Sequence, residues 1–208
     1  GDGLNKIFKS IGADIIEGGQ SMNPSTENIL SVVEKKASKD IIILPNNKNI
    51  ILTAEQVKTL SKKNIHVIPT KTIPQGITAL LSFSPDLSIG ENISKMTQSI
   101  ENVVSGEVTY AVRDTKWNGT HIKEGDILGI KDGELLIVEK NKEQVMMKLI
   151  ELMTEEKQDG IITIYYGKDE NTSSIQNIIA RIQEKYQGFD VEYYLGGQSL
   201  YYYLVSVE

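Results

Sequence analysis

The side chains best suited to hold a ligand are amides, hydroxyls and lysines that come directly after short apolar runs. This set, the turn cluster, comprises Ser21, Asn23, Asn46, Asn47, Lys48, Thr70 and Lys71. Backbone N–H groups at helix starts, supported by the ammonium groups of Lys48 and Lys71, favour phosphate or carboxylate. The same residue types cap helices and form turns in any α/β domain, so both interpretations stay open.

No combination of side chains in the sequence amounts to catalytic machinery. The chain contains no cysteine, and its two histidines, His66 and His121, lie far apart. Thiolate nucleophiles are thus excluded, and a histidine-based metal cluster is disfavoured. No serine lies in a GxSxG motif, and neither GxxxxGK[ST] nor GxGxxG is present. We therefore expect no catalytic residue and no metal site, and nucleotide binding is disfavoured.

The stretch from Asp40 to Gln56 is the central element that positions the turn cluster. Its apolar run, residues 40–44, is typical of a strand buried on both faces, and Pro45 ends it. Apolar residues then recur at helical spacing, and either Asn47 or Thr53 can cap the resulting helix. A strand, a tight polar turn and an amphipathic helix make half of a parallel βαβ unit.

Similar units lie on both sides of this stretch. Residues 13–16 predict a brief strand, followed by a helix with Asn23 as its N-cap, and residues 65–68 predict a third strand before another helix. Parallel strands with right-handed crossovers are the default for this alternation. The three turns should therefore lie side by side at one edge of the sheet.

The second half of the chain follows a different pattern. Residues 84–88 break the alternation, so we place a domain boundary there, with lobes at residues 1–86 and 87–208. Asn118-Gly119 and Asp132-Gly133 are strong hairpin signals within an otherwise mixed series of strands and helices. The predicted fold class is α/β with two lobes, a parallel three-layer first lobe and a mixed-sheet second lobe.

Acidic side chains concentrate in the second half. This acidic set comprises Glu151, Glu155, Glu156, Asp159, Asp169 and Glu170. Such a run is most often a solvated face, and it can also present a docking surface to a basic partner. Tyrosines adjoin or alternate in the two terminal apolar segments, at Tyr193, Tyr194, Tyr201, Tyr202 and Tyr203. Their rings either fill a core or anchor a partner.

The overall charge narrows the classes of partner. The 208 residues carry a formal net charge of -6, which argues against nucleic acid and suits a basic protein surface. No apolar run approaches membrane-spanning length, and no charged-then-apolar leader is present. The absence of cysteine suits a reducing compartment, so we expect a cytoplasmic location. Because the chain starts Gly1-Asp2-Gly3 without methionine, we expect a piece of a longer polypeptide.

The tetrapeptide Gly-Gly-Gln-Ser occurs twice, at Gly18–Ser21 and Gly196–Ser199. Each copy follows a predicted strand, where glycine allows positive φ and close backbone approach. We interpret the repeat as a tight turn used once in each lobe.

Several long blocks resemble one known family. They are EGGQSMNPSTENIL, IILPNNKNIILTAEQ, VIPTKTIPQGITALL, VTYAVRDT with a Gly-Asp after it, and the terminal EYYLGGQSLYYYLVSVE. In this order they resemble the C-terminal region of the bacterial fatty acid kinase subunit, the protein with an N-terminal dihydroxyacetone-kinase-like domain. The resemblance covers essentially the whole chain, and blocks such as LPNNKNI and PTKTIPQG make it specific.

The resemblance implies both a fold and a role. The matching region is similar in fold to DegV-like fatty-acid-binding proteins, which enclose a fatty acid between two lobes and present it to the kinase. The family's nucleotide site and catalytic cysteine have no counterpart here, so ATP and magnesium are expected only in the N-terminal domain of the parent. The chain is then expected to dock the DegV-like partner and contact other domains of its own kinase, supporting acyl-phosphate formation for phospholipid synthesis without transferring phosphate itself.

Two alternatives remain at this point. A DegV-like lipid-binding domain would hold a fatty acid between its own lobes, in a long apolar tunnel. An enzyme acting on phosphorylated small molecules would need Lys48 and Lys71 to meet at one phosphate.

Overall fold

The computed structural model describes residues 1–18 and 23–208. These residues form two compact units. The parallel-sheet unit comprises Ile7–Val103, and the mixed-sheet unit comprises Gly1–Lys6 with Val104–Glu208. Within the described ranges, no helix is both long enough and apolar enough to cross a bilayer.

The helices and strands follow one another along the chain in this order. They are α1 (Asp2–Ser10), α2 (Thr26–Val33), β1 (Asp40–Ile43), α3 (Lys48–Leu60), β2 (Asn64–Val67), α4 (Ile73–Leu81), α5 (Ile89–Ser99), a 3-10 turn (Ile100–Asn102), β3 (Val104–Tyr110), β4 (Thr115–Trp117), β5 (Thr120–Ile122), β6 (Ile127–Lys131), β7 (Glu134–Glu139), α6 (Lys142–Thr154), β8 (Gly160–Tyr166), α7 (Thr172–Lys185), β9 (Phe189–Leu195) and β10 (Tyr201–Val207). The mixed α/β class predicted from the sequence is confirmed.

The parallel-sheet unit is built on the pair β1 and β2. The two strands run parallel, with Ile43 opposite Val67 at their carboxyl ends. One apolar cluster packs α2 and α3 on this pair through Ile29, Val33, Ile50, Val57 and Ile65. A second cluster joins the segment after β2 to α4 and α5 through Ile68, Ala79, Met96 and Ile100.

This second cluster explains where the two units divide. The sequence places the boundary after residue 86, whereas the structure places it after Val103. Residue 86 lies in a polar break, but α5 follows it and packs Met96 against α4. Because α5 buries its apolar face in the parallel-sheet unit, the polar break at residues 84–88 is a loop within that unit.

Two local predictions in this unit are wrong. Residues 13–16 form no strand; Ile16 instead packs against the cluster that contains Ile29. A four-residue apolar run does not distinguish ladder pairing from simple packing. Ser25, rather than Asn23, caps α2, because Ser25 and Asn28 exchange side-chain to backbone hydrogen bonds in a capping box, which satisfies two N–H groups at once.

The mixed-sheet unit contains a six-stranded sheet in the order β7-β6-β3-β10-β8-β9. All neighbouring pairs are antiparallel except β8 and β9, which α7 connects as a parallel crossover. Helices α6 and α7 bury Met146, Leu149, Ile178 and Ile182 in the core of this unit.

Both predicted hairpins of this unit are confirmed. Asn118 and Gly119 join β4 to β5 with φ of 46° and 82°, and Asp132 and Gly133 join β6 to β7 with φ of 50° and 84°. Consecutive positive φ values are the geometry of the turn that suits the twist of a two-residue hairpin.

Candidate functional site

The turns after β1 and β2 meet at one edge of the parallel pair. The backbone N–H of Asn46 donates to the Thr70 hydroxyl at 2.9 Å, and that hydroxyl donates to Asn46 Oδ1 at 2.9 Å. Thr70 is fully buried. The structure thus brings two members of the turn cluster together, as expected for parallel strands that open on the same edge.

Asn46 has an uncommon backbone conformation, and its side chain packs directly on a glycine of α4. Its φ of 56° lies in the left-handed region, which asparagine tolerates better than most residues. On α4, a Cβ added to Gly76 would lie under 3.0 Å from Asn46 Oδ1, closer than real atoms approach. The Asn46 amide therefore occupies the space above Gly76 and serves to lock the two turns.

The other described members of the turn cluster lie at helix starts. Asn47 caps α3 by accepting from the Asn49 N–H at 2.9 Å. The Lys71 N–H donates to Gln75 Oε1 at 2.8 Å, and the Gln75 N–H donates to the side chain of Thr72, the cap of α4. These N–H groups, which an anion would need, already have acceptors from the chain itself.

The two lysines of the turn cluster contribute positive charge at the protein surface. Lys48 and Lys71 are exposed at the starts of α3 and α4, and Asn23 is exposed before α2. Ser21 lies outside the described residues, as does the first Gly-Gly-Gln-Ser copy apart from Gly18. Anion binding at the turn cluster stays a prediction.

The acidic set does not form a single patch. Glu155, Glu156 and Asp159 are exposed between α6 and β8, whereas Asp169 is exposed after β8 ends. A seven-residue strand separates the two places, and at 3.3 Å per residue it spans roughly 20 Å. Only the group at the end of α6 is locally dense.

Glu151, on α6, is exposed but already has a counter-charge. Lys185 on α7 lies 2.7 Å from its carboxylate. The hydrogen bond from Lys185 is the main cause that lowers the pKa of Glu151 below its ordinary value. Part of its negative charge is thus compensated within the chain.

The acidic set also includes one residue that is not on the surface. The side chain of Glu170 is only 1% exposed, so its predicted role as an exposed docking residue is wrong. Its carboxylate pairs with Lys142 at the start of α6 and accepts from the Tyr203 hydroxyl at 2.8 Å. Burial, followed by this hydrogen bond to Glu170, raises the pKa of Tyr203.

Sequence reasoning missed this Lys142–Glu170–Tyr203 network. Lys142 also lies 5.1 Å from the centre of the Tyr202 ring, and Tyr202 packs on Tyr110 with ring centroids 5.7 Å apart. Lys142 and Glu170 belong to different elements 28 positions apart, so no local pattern predicts their pairing. The network ties α6, the start of α7 and β10 together, which is a structural role.

The two histidines lie in different units and have different neighbours. His66 lies 3.3 Å from Asp40, and its hydrogen bond is the main cause that lowers the pKa of that carboxyl. His121 lines an open cavity of about 390 Å³ beside the β4–β5 hairpin, with Asp114, Thr115, Lys116, Ile122 and Lys123. Within residues 1–18 and 23–208, no three acidic or histidine side chains gather as a metal site.

Comparisons with known proteins identify a protein family that matches the chain. A family model for the C-terminal region of FakA-like fatty acid kinase subunits matches residues 1–208. "Protein YloV" of Bacillus subtilis (strain 168) is 43% identical over 209 residues, which covers 100% of this chain and 38% of that protein. An uncharacterised protein of Staphylococcus aureus (strain USA300) has the same identity and coverage. The chain thus spans 38% of the length of these curated relatives.

Solved structures share the fold at much lower sequence identity. The Streptococcus pneumoniae fatty acid kinase B3 protein, loaded with linoleic acid, has a TM-score of 0.62 at 14% identity, covering 99% of this chain and 83% of that one. DegV of Bacillus subtilis, a fatty acid binding protein, has a TM-score of 0.57 at 16% identity, covering 88% and 77%.

A kinase also has this fold. The dihydroxyacetone kinase of C. freundii has a TM-score of 0.59 at 10% identity, covering 88% of this chain and 41% of that one. At such identities the likeness concerns the fold alone, and the DegV-like fold predicted from the sequence blocks is confirmed. Because the family model matches from the first residue to the last, the chain belongs to the C-terminal family of FakA-like fatty acid kinase subunits.

Proposed function

We propose that this chain is the non-catalytic C-terminal part of a cytoplasmic fatty acid kinase and that it docks a DegV-like fatty-acid-binding protein. The match to the kinase subunit family along residues 1–208 is the observation that carries the proposal. Docking holds the loaded carrier close to the domain that binds ATP and magnesium elsewhere in the longer polypeptide. The acyl-phosphate formed there then supplies phospholipid synthesis.

The chemistry of the described residues supports a docking role over a catalytic one. The chain has no cysteine. His66 pairs with Asp40 in one unit, and His121 lies on a hairpin of the other. A nucleophile with its own base and orienting group is not assembled at either histidine.

The exposed end of α6 is the surface we assign to the partner. Glu155, Glu156 and Asp159 are solvent-exposed and close together in sequence, in a chain of net charge -6. An acidic patch attracts a basic surface and orients it during encounter, and this effect weakens as salt increases. Tethering a docking site to the kinase also raises the local concentration of the loaded carrier.

Charge reversal tests this surface. In the longer polypeptide, the double variant Glu155→Lys/Glu156→Lys should weaken binding of the DegV-like partner by about tenfold at low salt. Asp169→Lys, at the other end of β8, is the comparison variant and should leave the affinity nearly unchanged. Unchanged affinity in the double variant would rule out the end of α6, and equal losses in both would indicate a non-specific charge effect.

Lipid binding is the second candidate, and the shared fold favours it. A protein of this fold holds linoleic acid in the S. pneumoniae structure. Organic extraction of the purified polypeptide followed by mass spectrometry decides between the two. Stoichiometric fatty acid in the extract favours a lipid-binding domain, whereas a lipid-free extract favours docking.

A further inference from the structure

The outer edge of β9 is an exposed surface that the docking proposal does not use. β9 is the last strand of the six-stranded sheet, and no strand of the described residues pairs with its other side. Its final three residues, Tyr193, Tyr194 and Leu195, are between 40% and 52% exposed. Proteins usually shield such an edge because its free N–H and C=O groups pair readily with other chains.

The start of the chain lies against the end of this same strand. The Leu4 N–H donates to the Gly196 carbonyl at 3.0 Å. A Cβ on Gly3 would lie under 3.0 Å from the Leu195 carbonyl oxygen, and one on Gly1 would meet the backbone of residues 196–198 equally closely. Glycine at both positions therefore permits a backbone approach that places the start of the chain beside Leu195.

The second Gly-Gly-Gln-Ser copy forms the contact point. Gln198 is buried, and its Nε2 donates to the Tyr165 carbonyl at 2.8 Å. Its Oε1 is also buried, and among the described residues it accepts no hydrogen bond. The Gln198 side chain thus anchors the turn after β9 to the neighbouring strand β8.

The longer relatives offer an occupant for this edge. The chain covers 38% of their length, and the family description places the matched region at the C-terminal end. In such proteins further polypeptide precedes the residue equivalent to Gly1, and it arrives beside residues 196–198, directly after β9. We propose that this upstream polypeptide runs along the outer edge of β9, pairs with it and covers Tyr193, Tyr194 and Leu195.

The geometry fixes the direction of this added strand. A segment that ends at Gly1 ends beside residues 196–198, directly after the carboxyl end of β9, so its pairing with β9 is parallel. Main-chain hydrogen bonds then supply affinity, and the exposed tyrosine rings pack on the incoming side chains. Covalent connection keeps the effective concentration of this segment high, which favours it over a second molecule.

Site-specific crosslinking in the longer polypeptide tests the proposal. A photoreactive phenylalanine analogue replaces Tyr194, and a matched control replaces Leu136, which is 46% exposed on β7 at the opposite edge of the sheet. Mixing heavy-isotope and light-isotope protein distinguishes links within one chain from links between chains. We expect the main product from position 194 to be an intrachain link to residues upstream of Gly1, absent from position 136. Interchain links, or no link at position 194, would overturn the proposal.

Amide hydrogen exchange provides an independent readout on the unmodified longer polypeptide. If upstream residues pair with β9, its outward amides should exchange at least about tenfold more slowly than the outward amides of the edge strand β7. Equal exchange at the two edges would contradict the pairing. Neither measurement depends on the DegV-like partner, so failure here leaves the docking proposal untouched.

Discussion

Thr70 and Asn46 hold each other through two hydrogen bonds, each 2.9 Å long, that join turns 24 residues apart in the chain. The Thr70 hydroxyl accepts from the Asn46 backbone and donates to the Asn46 side chain. Because Thr70 is fully buried, water cannot replace either bond. The edge at which the two parallel strands open is therefore a fixed structure, with the helix starts of α3 and α4 positioned around it.

Thr70→Val should destabilise the chain by about 1–3 kcal/mol, because valine keeps the shape and leaves the Asn46 N–H without its acceptor. The free energy of unfolding in denaturant measures this loss. Thr70→Ser retains the hydroxyl and serves as the control, with a clearly smaller loss. A loss for Thr70→Val no larger than that for Thr70→Ser would show that the hydrogen bonds contribute no more than the methyl group does.

Gly76→Ala should also destabilise, by about 1–3 kcal/mol, because the added methyl collides with an Asn46 side chain that Thr70 holds in place. Gly90 provides the matched control, since it lies on α5 with nothing within 4 Å of an added Cβ. Gly90→Ala should be neutral or stabilising by up to about 1 kcal/mol. The melting temperatures of the two variants test this difference. A Gly76→Ala variant that melts at the wild-type temperature would contradict the predicted collision with Asn46.

Lys142→Met should cost about 2–4 kcal/mol, because it leaves the Glu170 carboxylate buried without its counter-charge. The loss stays below that of a fully buried pair, since Lys142 is 34% exposed. Lys148→Met removes an exposed pair with Glu139 and should cost less than about 1 kcal/mol. Denaturant midpoints rank the two variants, and similar midpoints would mean that the network contributes nothing beyond a surface pair.

Asp126→Asn should destabilise most at neutral pH and least in acid. The hydrogen bond from Lys140 and then that from the Lys123 N–H lower the pKa of Asp126 below its ordinary value of 3.8. The folded state thus favours the carboxylate, and the stabilisation is complete above pH 3.8 and disappears as the pH falls through the folded pKa. The difference in the free energy of unfolding between wild type and variant should shrink as the pH falls from about 7 to about 3. If this difference does not change with pH, packing rather than the carboxylate charge accounts for the destabilisation.

Patterns within single elements were predictable from the sequence, and contacts between distant elements were not. Asn118-Gly119 predicts its hairpin because two positive φ values suit these residue types, and Asn47 predicts its cap for a similar local reason. The alternation of strands and helices also places the turn of Asn46 beside that of Thr70.

The errors have a physical origin in tertiary packing. Glu170 looks in the sequence like one more exposed acid, yet Lys142 and Tyr203 stabilise it in the interior as three-dimensional neighbours that no spacing reveals. The six acidic residues are close in sequence, but β8 carries the chain from one end of the sheet to the other between Asp159 and Asp169. The run at residues 13–16 is too short for composition to separate a strand from a packed coil.

Calorimetric titration of a fatty-acid-loaded DegV-like protein into the longer kinase polypeptide, with and without the region equivalent to residues 1–208, tests the docking proposal most directly. We predict a salt-sensitive complex with the complete polypeptide and none with the truncated one, while ATP binding by the truncated polypeptide persists as proof that it remains folded. Undiminished binding of the carrier to the truncated polypeptide would contradict the assignment of docking to this chain.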